Sequence, residues 1–281
     1  MNIPYFSEYL GPWAMRAEDF TAGHALLMGL DLHVHLAGPD PHRAAELAEY
    51  RGEISVQDGV AVIALHGVLM KHQSSMQDST STVVARRLVR QATRSPDVQS
   101  ILLHIDSPGG TVSGTPQLAD DVATAAKAKP TIAYIENLCA SAAYWIASQA
   151  GKIVAAPASL IGAIGTYGVI HDMSAAATLK GIKVHVVKAG AMKGAGVPGT
   201  EITAEQLAEH QRIVNDLNAF FLRGVASGRG MALAKVGELA DGRVHVAAQA
   251  QQLGLIDGLQ SLDATWNKLV ALSSSLKGKA A

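Results

Sequence analysis

Residues 101–110 read Ile-Leu-Leu-His-Ile-Asp-Ser-Pro-Gly-Gly, an apolar run that passes directly into a tight turn. A short, nearly continuous apolar run is typical of a β-strand that is covered on both faces. Thr111 or Ser113 is predicted to cap the helix that follows, which runs toward Lys127 and stops before Pro130. The segment therefore predicts a strand, a turn and a helix in succession.

The same alternation of strands and helices continues on both sides of this segment. Short apolar runs predict the strands, and amphipathic or alanine-rich stretches predict the helices. The further strands are predicted at 59–65, 131–135, 152–156 and 185–187, and the further helices at 82–93, 141–150 and 203–226. This order indicates an α/β fold of βαβ units around a mainly parallel sheet, with a long helix toward the C-terminus.

The composition is that of a globular protein with enough apolar residues for a large core. Of the 281 residues, 48% are hydrophobic and 17% are charged, and the net charge of −1 argues against a nucleic-acid partner. No run reaches the roughly 18 apolar residues of a membrane-spanning helix, and no secretory signal is visible at the N-terminus. We therefore expect no transmembrane anchor and a cytoplasmic location.

The sequence predicts no cofactor and no metal site. Its single cysteine, Cys139, excludes an intrachain disulfide and has no metal-ligand spacing around it. The pair His33 and His35 is more typical of an ordinary strand or loop than of two metal ligands.

Ser141 is a candidate nucleophile because it lies between a predicted strand and an alanine-rich helix. This position aims a hydroxyl at the end of a sheet, where a helix N-terminus favours nearby negative charge. A serine at the start of a helix is also a common N-cap. Both interpretations are open from the local sequence.

Lys193 is a candidate general base because its neighbours are glycine, alanine, methionine, valine and proline. A lysine amine accepts a proton only when it is neutral, which requires removal from water. No acidic residue lies between Asp172 and Glu201, so a desolvated amine is expected here. The ordinary alternative is a solvated surface charge in a glycine-rich loop.

The turn at 107–110 is a candidate oxyanion-binding element. Proline fixes the turn, and its glycines, Gly109 and Gly110, let a substrate approach the backbone closely. A free N–H there would stabilise a tetrahedral oxyanion together with an N–H next to Ser141. A plain connection between strand and helix is the alternative.

Together these segments resemble the S49 serine peptidases, which include signal peptide peptidase A and bacteriophage head-maturation proteases. The likeness covers roughly residues 52–262, although a Ser-Pro-Gly-Gly turn also occurs in Clp-type proteases. The segments that carry it are 107–110, 140–147, 153–165, 193–198, 241–244 and 247–259. The predicted organisation is an N-terminal extension (1–51), a catalytic domain (52–265) and a tail (266–281), whose last residues, from Ser273, are expected to fray.

The resemblance implies a crotonase/Clp-like core and a Ser–Lys dyad that hydrolyses polypeptides. Ser141 would attack the scissile carbonyl, and Lys193 would accept its proton and later return one to the leaving amine. Gly109, Gly110 and the backbone at Ala142 would form the oxyanion hole. Relatives assemble into rings or domes, so a homo-oligomer is expected.

The chain departs from the family pattern at Ala163, where members commonly carry a serine that orients the lysine. Ser159 or Thr166 would have to take over that role. No N-terminal anchor is expected, which favours a phage-type or otherwise soluble member. Segments 80–82 and 220–230 also resemble those of phage-type members. Scaffold and capsid proteins would then be substrates, in the host cytoplasm or the procapsid.

Several alternatives stay open. A Clp-like protease would use His171 as the base, and Cys139 would be a nucleophile without a recognisable partner. The crotonase fold also hosts acyl-CoA hydratases, in which Ser141 would have no covalent role. The non-enzymatic alternative is a capsid or portal component that has lost its activity. Alanine at position 163 would then be a sign of that loss.

Overall fold

The structure is a computed structural model that describes residues 12–15, 54–74 and 78–280. Most of the predicted N-terminal extension lies outside these residues, as do His33 and His35. The division of the chain into an extension, a catalytic domain and a tail stays a prediction.

Within the described residues, twelve strands form two sheets, of eight and four strands. They are β1 (Trp13–Met15), β2 (Ser55–Gln57), β3 (Val60–His66), β4 (Val68–Met70), β5 (Ser79–Ser81), β6 (Ser100–Ser107), β7 (Gly109–Thr111), β8 (Thr131–Ala140), β9 (Lys152–Ala155), β10 (Leu160–Gly162), β11 (Val244–Val246) and β12 (Gly258–Leu259).

Eight helices connect and cover these strands within the same part of the chain. They are α1 (Thr82–Arg94), α2 (Thr115–Ala128), α3 (Ala142–Ala147), α4 (Ser174–Leu179), α5 (Ala204–Arg229), α6 (Leu233–Leu239), α7 (Ala247–Gln252) and α8 (Leu262–Ala280).

The larger sheet is mainly parallel and confirms the predicted α/β class. Its order is β11-β10-β8-β6-β3-β2, with β9 paired to β8 and β12 paired to β9. Only the outer pairs β2–β3 and β10–β11 are antiparallel. Strand β8 changes neighbours along its length, because Ile132–Ile135 pair with β9 and Leu138–Ala140 pair with β10. This divergence of β9 and β10 opens the sheet where β8 ends.

The central strands are apolar on both sides because helices cover both faces of the sheet. Ile101, Leu103 and Ile105 of β6 face α1, α2 and α3 in the main core. Leu102 of β6 faces the opposite way and packs with Leu269 of α8. A continuous apolar run, rather than an alternating one, follows from this two-sided burial.

The smaller sheet, in the order β1-β7-β4-β5, holds the glycine turn in place. Strand β7 begins at Gly109 and lies between β1 and β4. At Gly110 a Cβ atom would overlap the backbone carbonyl of Leu69, so this position requires glycine. The turn after β6 is therefore part of a second sheet and is more than a simple strand-to-helix connection.

Several local predictions were wrong. Residues 185–187 form no strand, because no neighbouring strand offers them hydrogen bonds. Helix α2 is capped by Gly114, with φ of 90° and no side-chain cap bond, rather than by Thr111 or Ser113, because β7 extends to Thr111. The helix after Ser141 ends at Ala147, three residues earlier than predicted.

The C-terminal residues predicted to fray from Ser273 instead continue helix α8. The hydroxyl groups of Ser100 and Ser273 lie 2.8 Å apart and are buried, which fixes this helix on the sheet. The prediction relied on the polar composition of this segment. It was wrong because the buried side chains of α8 are few and widely spaced, so a packed helix can still be largely polar.

We expect Leu269→Ala to lower the free energy of unfolding by about 2–5 kcal/mol. Leu269 is fully buried between α8 and the sheet, so the substitution leaves a cavity. Urea denaturation measures the change, with Lys268→Ala, an exposed neighbour in the same helix, as the control that should stay within about 0.5 kcal/mol. Equal effects of the two substitutions would show that α8 does not contribute to the core.

Candidate active site

Ser141 has an unusual backbone conformation at the junction of β8 and α3. Its φ is 53° and its ψ is −118°, in the left-handed half of the Ramachandran map that residues other than glycine rarely adopt. Its N–H donates to the carbonyl of Gly162 at 2.7 Å, which holds the turn. Such a conformation costs about 1–3 kcal/mol and is found mostly at functional sites.

The hydroxyl of Ser141 does not serve as a helix cap. The residue occupies the N-cap position of α3, but its side chain accepts no hydrogen bond from the helix. Oγ instead donates to the carbonyl of Gly165 over a long 3.4 Å. Because this bond is weak, the hydroxyl keeps its proton available for another acceptor.

The glycine turn lies directly against Ser141. Gly109 has φ of 102°, and a Cβ atom placed there would lie 3.0 Å from Cβ of Ser141. Its N–H donates to Oγ of the buried Ser107 at 3.2 Å, and that hydroxyl in turn donates to the carbonyl of Gly67 at 2.6 Å. The structure thus brings the turn and Ser141 together.

Ala142 is the first residue of α3, so its N–H has no acceptor within the helix. An N–H in this position also lies at the positive end of the helix dipole. Ala142 and Gly109 therefore flank Ser141 with backbone donors, although the N–H of Gly109 is engaged by Ser107 in this structure.

The turn that contains Ala163 packs on the other side of Ser141. Ala163 has φ of 49° and is buried, and its N–H donates to the carbonyl of Arg243 at 2.7 Å. Gly162 and Gly165, on either side of it, supply the two carbonyls that contact Ser141. The N–H of Ser141 thus bonds to the residue that directly precedes Ala163, the second non-glycine residue with a positive φ at this site.

Ser159 and Thr166 both use their hydroxyl groups to hold the backbone. Ser159 is buried and donates to the carbonyls of Ile135 and Glu136, at 3.2 and 2.8 Å. Thr166 donates to the carbonyl of Val214 in α5 at 3.0 Å. Among the described residues, neither hydroxyl forms a hydrogen bond with Lys193.

Lys193 is exposed in this structure, so the single chain does not show the predicted desolvation of its amine. The residue lies in an irregular loop between α4 and α5, where its backbone N–H donates to the carbonyl of Gly190 at 3.1 Å. Its apolar neighbours do not bury it, because the loop residues from 180 to 193 are themselves almost all exposed. No residue in the described part of the chain forms a hydrogen bond or ion pair with its amine, so Ser141 and Lys193 are not brought together.

The other candidate residues differ in their surroundings. His171 is exposed in the segment before α4. Cys139 is completely buried, and this burial raises the pKa of its thiol, with the carboxylate of Asp106 adding to the effect. A buried thiol that stays protonated is a poor nucleophile, which argues against a role for Cys139.

Exposed apolar side chains are concentrated between residues 169 and 220. Ten of the seventeen large apolar residues that the described structure leaves exposed lie there, including Leu179, Val187 and Phe220. Helix α5 carries a stripe of apolar residues at helical spacing that is only partly covered. Leu207, Ile213 and Phe220 are exposed, whereas Phe221 and Val225 are the two buried residues of the helix. Side chains of this kind mark an interaction site when they form a contiguous patch.

Among the described residues, we find no helix with the length and apolar character needed to cross a membrane.

Comparison with known proteins gives consistent matches. Residues 123–275, just over half of the chain, match the profile of peptidase family S49, and this range contains both Ser141 and Lys193. A putative protease of Methanocaldococcus jannaschii is 32% identical over 184 residues, which are 63% of this chain and 57% of that protein.

Two further relatives have names that describe a more specific protein. Protease 4 of Salmonella typhi is 27% identical over 79% of this chain and 36% of its own length. Capsid assembly protease C of Escherichia phage lambda is 26% identical over 73% of this chain and 47% of its own length. The chain thus spans between about a third and three fifths of these relatives.

Proposed function

Because the chain belongs to peptidase family S49, we propose that it is a serine endopeptidase with Ser141 as the nucleophile and Lys193 as the general base. The observation that carries this proposal is the strained, uncapped Ser141, which lies between the glycine turn and the N-terminus of α3. A serine in a sharp turn between strand and helix is the attacking residue of the nucleophile elbow. Ser141 is 1% exposed in this structure, so a substrate needs an opening beside it.

In the proposed mechanism Oγ of Ser141 attacks the scissile carbonyl while its proton passes to the amine of Lys193. The developing oxyanion is held by the N–H of Ala142 and by the Gly109–Gly110 turn. Each such donor contributes about 3–4 kcal/mol to transition-state stabilisation. Lys193 then returns the proton to the leaving amine, and water hydrolyses the acyl-enzyme by the reverse proton path.

This mechanism needs the amine of Lys193 to approach Ser141 and to lose its hydration. We propose that assembly into a homo-oligomer, a ring or dome, achieves both. The support is the set of exposed apolar side chains between 169 and 220, which includes Ile182, Val187 and Met192 of the loop that carries Lys193. Burial of that loop in a subunit contact would desolvate the amine, whether it comes from the same copy or from a neighbouring one.

Polypeptides are the proposed substrates. The similarity to capsid assembly protease C of phage lambda favours scaffold and capsid proteins, cleaved in the host cytoplasm or the procapsid. The side chains that orient the lysine are also part of the proposal, with Ser159 or Thr166 replacing the family serine at position 163. Release of Thr166 from the carbonyl of Val214 would be required for that role.

A serine-directed fluorophosphonate probe tests the nucleophile directly. We expect the wild-type protein to gain one covalent adduct, on the peptide that contains Ser141, because only an activated serine reacts with such a probe. Ser141→Ala should remain unlabelled, while Ser113→Ala, an exposed serine near the glycine turn, should label like wild type. An unlabelled wild-type protein would favour an acyl-CoA hydratase or an inactive capsid component instead.

A further inference from the structure

Three potential metal ligands from three adjacent strands meet on the face of the larger sheet that α8 covers. His66 ends β3, His104 lies in β6, and Glu136 lies in β8. The register pairs His66 with Asp106 and His104 with Tyr134, so all three side chains project to the same side. Their ligand atoms lie within 4.8 Å of one another.

Two buried nitrogens of this cluster have no hydrogen-bond partner among the described residues. They are Nε2 of His66 and Nε2 of His104. A carboxylate oxygen of Glu136 lies 2.8 Å from Nε2 of His104, but the direction of approach does not meet hydrogen-bond geometry. Buried polar atoms without partners are rare, and an ion that they bind is one established reason for them.

The two imidazole rings are packed edge to face, with centroids 4.9 Å apart. A neutral imidazole presents a free nitrogen lone pair, which is the form that ligates a metal. An ion pair between His104 and Glu136 alone would still leave Nε2 of His66 buried without a partner among the described residues.

The geometry points to a binding site for a borderline transition-metal ion such as Zn²⁺, held by His66, His104 and Glu136. Two imidazole nitrogens and one carboxylate oxygen suit Zn²⁺ and leave a fourth position for water. The carboxylate of Glu136 is 46% exposed, which gives the ion a route from solvent. The inference does not rest on the proposed peptidase function.

The fold suggests what this ion would stabilise. It would link the three central strands near the point where the pairing of β6 and β8 shifts register, between Ile105 and Ser107. Asp106, on the same face, already fixes that region by accepting from the side chain of Asn137 at 2.8 Å and from the N–H of Leu138 at 3.1 Å. The ion would thus stabilise the ends of β3, β6 and β8, the last of which leads to Ser141.

Thermal unfolding of the full chain, first dialysed against a chelator, tests this site. Zinc at about a hundred times its dissociation constant should raise the wild-type melting temperature by roughly 4–8 °C. Magnesium at the same concentration should not, because imidazole is a poor ligand for it. Cobalt in place of zinc should give the visible absorption bands of a protein-bound ion.

Glu136→Gln and His66→Ala should each remove most of the zinc-dependent rise, while His185→Ala, an exposed histidine elsewhere, should keep it. Glu136→Gln changes a half-exposed side chain by one atom, so it remains informative even if His66→Ala does not fold. A wild-type protein without a zinc-dependent rise, or a Glu136→Gln variant with the full rise, would overturn the inference.

Discussion

We expect Ser141→Ala to abolish peptide hydrolysis and to leave the folded protein intact. Loss of the nucleophile in a serine peptidase lowers kcat by about 10⁴- to 10⁶-fold. Among the described residues, the hydroxyl forms only the long hydrogen bond to the carbonyl of Gly165, so its removal costs little stability. The positive φ is no obstacle to alanine, because the chain already holds an alanine with a φ of 49° at Ala163.

The measurement is turnover of a casein-like substrate by wild type, Ser141→Ala and the exposed control Ser113→Ala, with melting curves for all three. The control should retain wild-type turnover. A Ser141→Ala protein that melts normally and still cleaves the substrate at more than a hundredth of the wild-type rate would exclude Ser141 as the nucleophile.

Lys193→Ala should lower turnover by three orders of magnitude or more, because no group would then accept the proton of Ser141. Its side chain is exposed in the single chain, so the free energy of unfolding should change by less than about 0.5 kcal/mol. Lys193→Arg should be equally inactive, since a guanidinium stays protonated in proteins. The matched control is Lys188→Ala, which alters an exposed lysine of the same loop.

His171→Ala separates the two possible bases. It should keep wild-type turnover if Lys193 is the base. The opposite result, an inactive His171→Ala and an active Lys193→Ala, would assign a Clp-like Ser–His pair instead.

Mixing the two inactive proteins tests how Lys193 reaches Ser141. If the lysine comes from a neighbouring copy, random reassembly of equal amounts of Ser141→Ala and Lys193→Ala should restore about a quarter of the sites. Half of the copies carry the serine, and half of their neighbours carry the lysine. If the loop closes within one copy, the mixture stays inactive.

The fold class was predictable because burial on both faces makes parallel strands continuously apolar. Strand β6 and its turn were predicted from residues 101–110 alone. The position of Ser141 between a strand and a helix was predicted from the sequence on either side of it. The second sheet around β7 was not predicted, because Gly109–Thr111 is too short and too rich in glycine to give a strand pattern.

Periodicity describes a face of a helix but not what covers it. The stripe of α5 has regular helical spacing, yet Leu207, Ile213 and Phe220 are exposed in the single chain. The apolar neighbours of Lys193 likewise predicted burial, whereas the loop that carries them lies outside the core. Local sequence carries no information about a surface that only another segment or another copy would complete.

The cluster of His66, His104 and Glu136 had no sequence signal. Its members come from three strands, and only the register of those strands puts them on one face. Motif spacing finds ligands within one element or one loop, so a site assembled across a parallel sheet escapes it.

The requirement for glycine at position 110 limits how this protein can be altered. The atom that blocks a side chain there is the backbone carbonyl oxygen of Leu69, which every amino acid carries. A second substitution therefore cannot make room, as it could if the obstacle were a neighbouring side chain. Randomising codon 110 in a functional selection should return glycine alone, whatever changes are allowed around it.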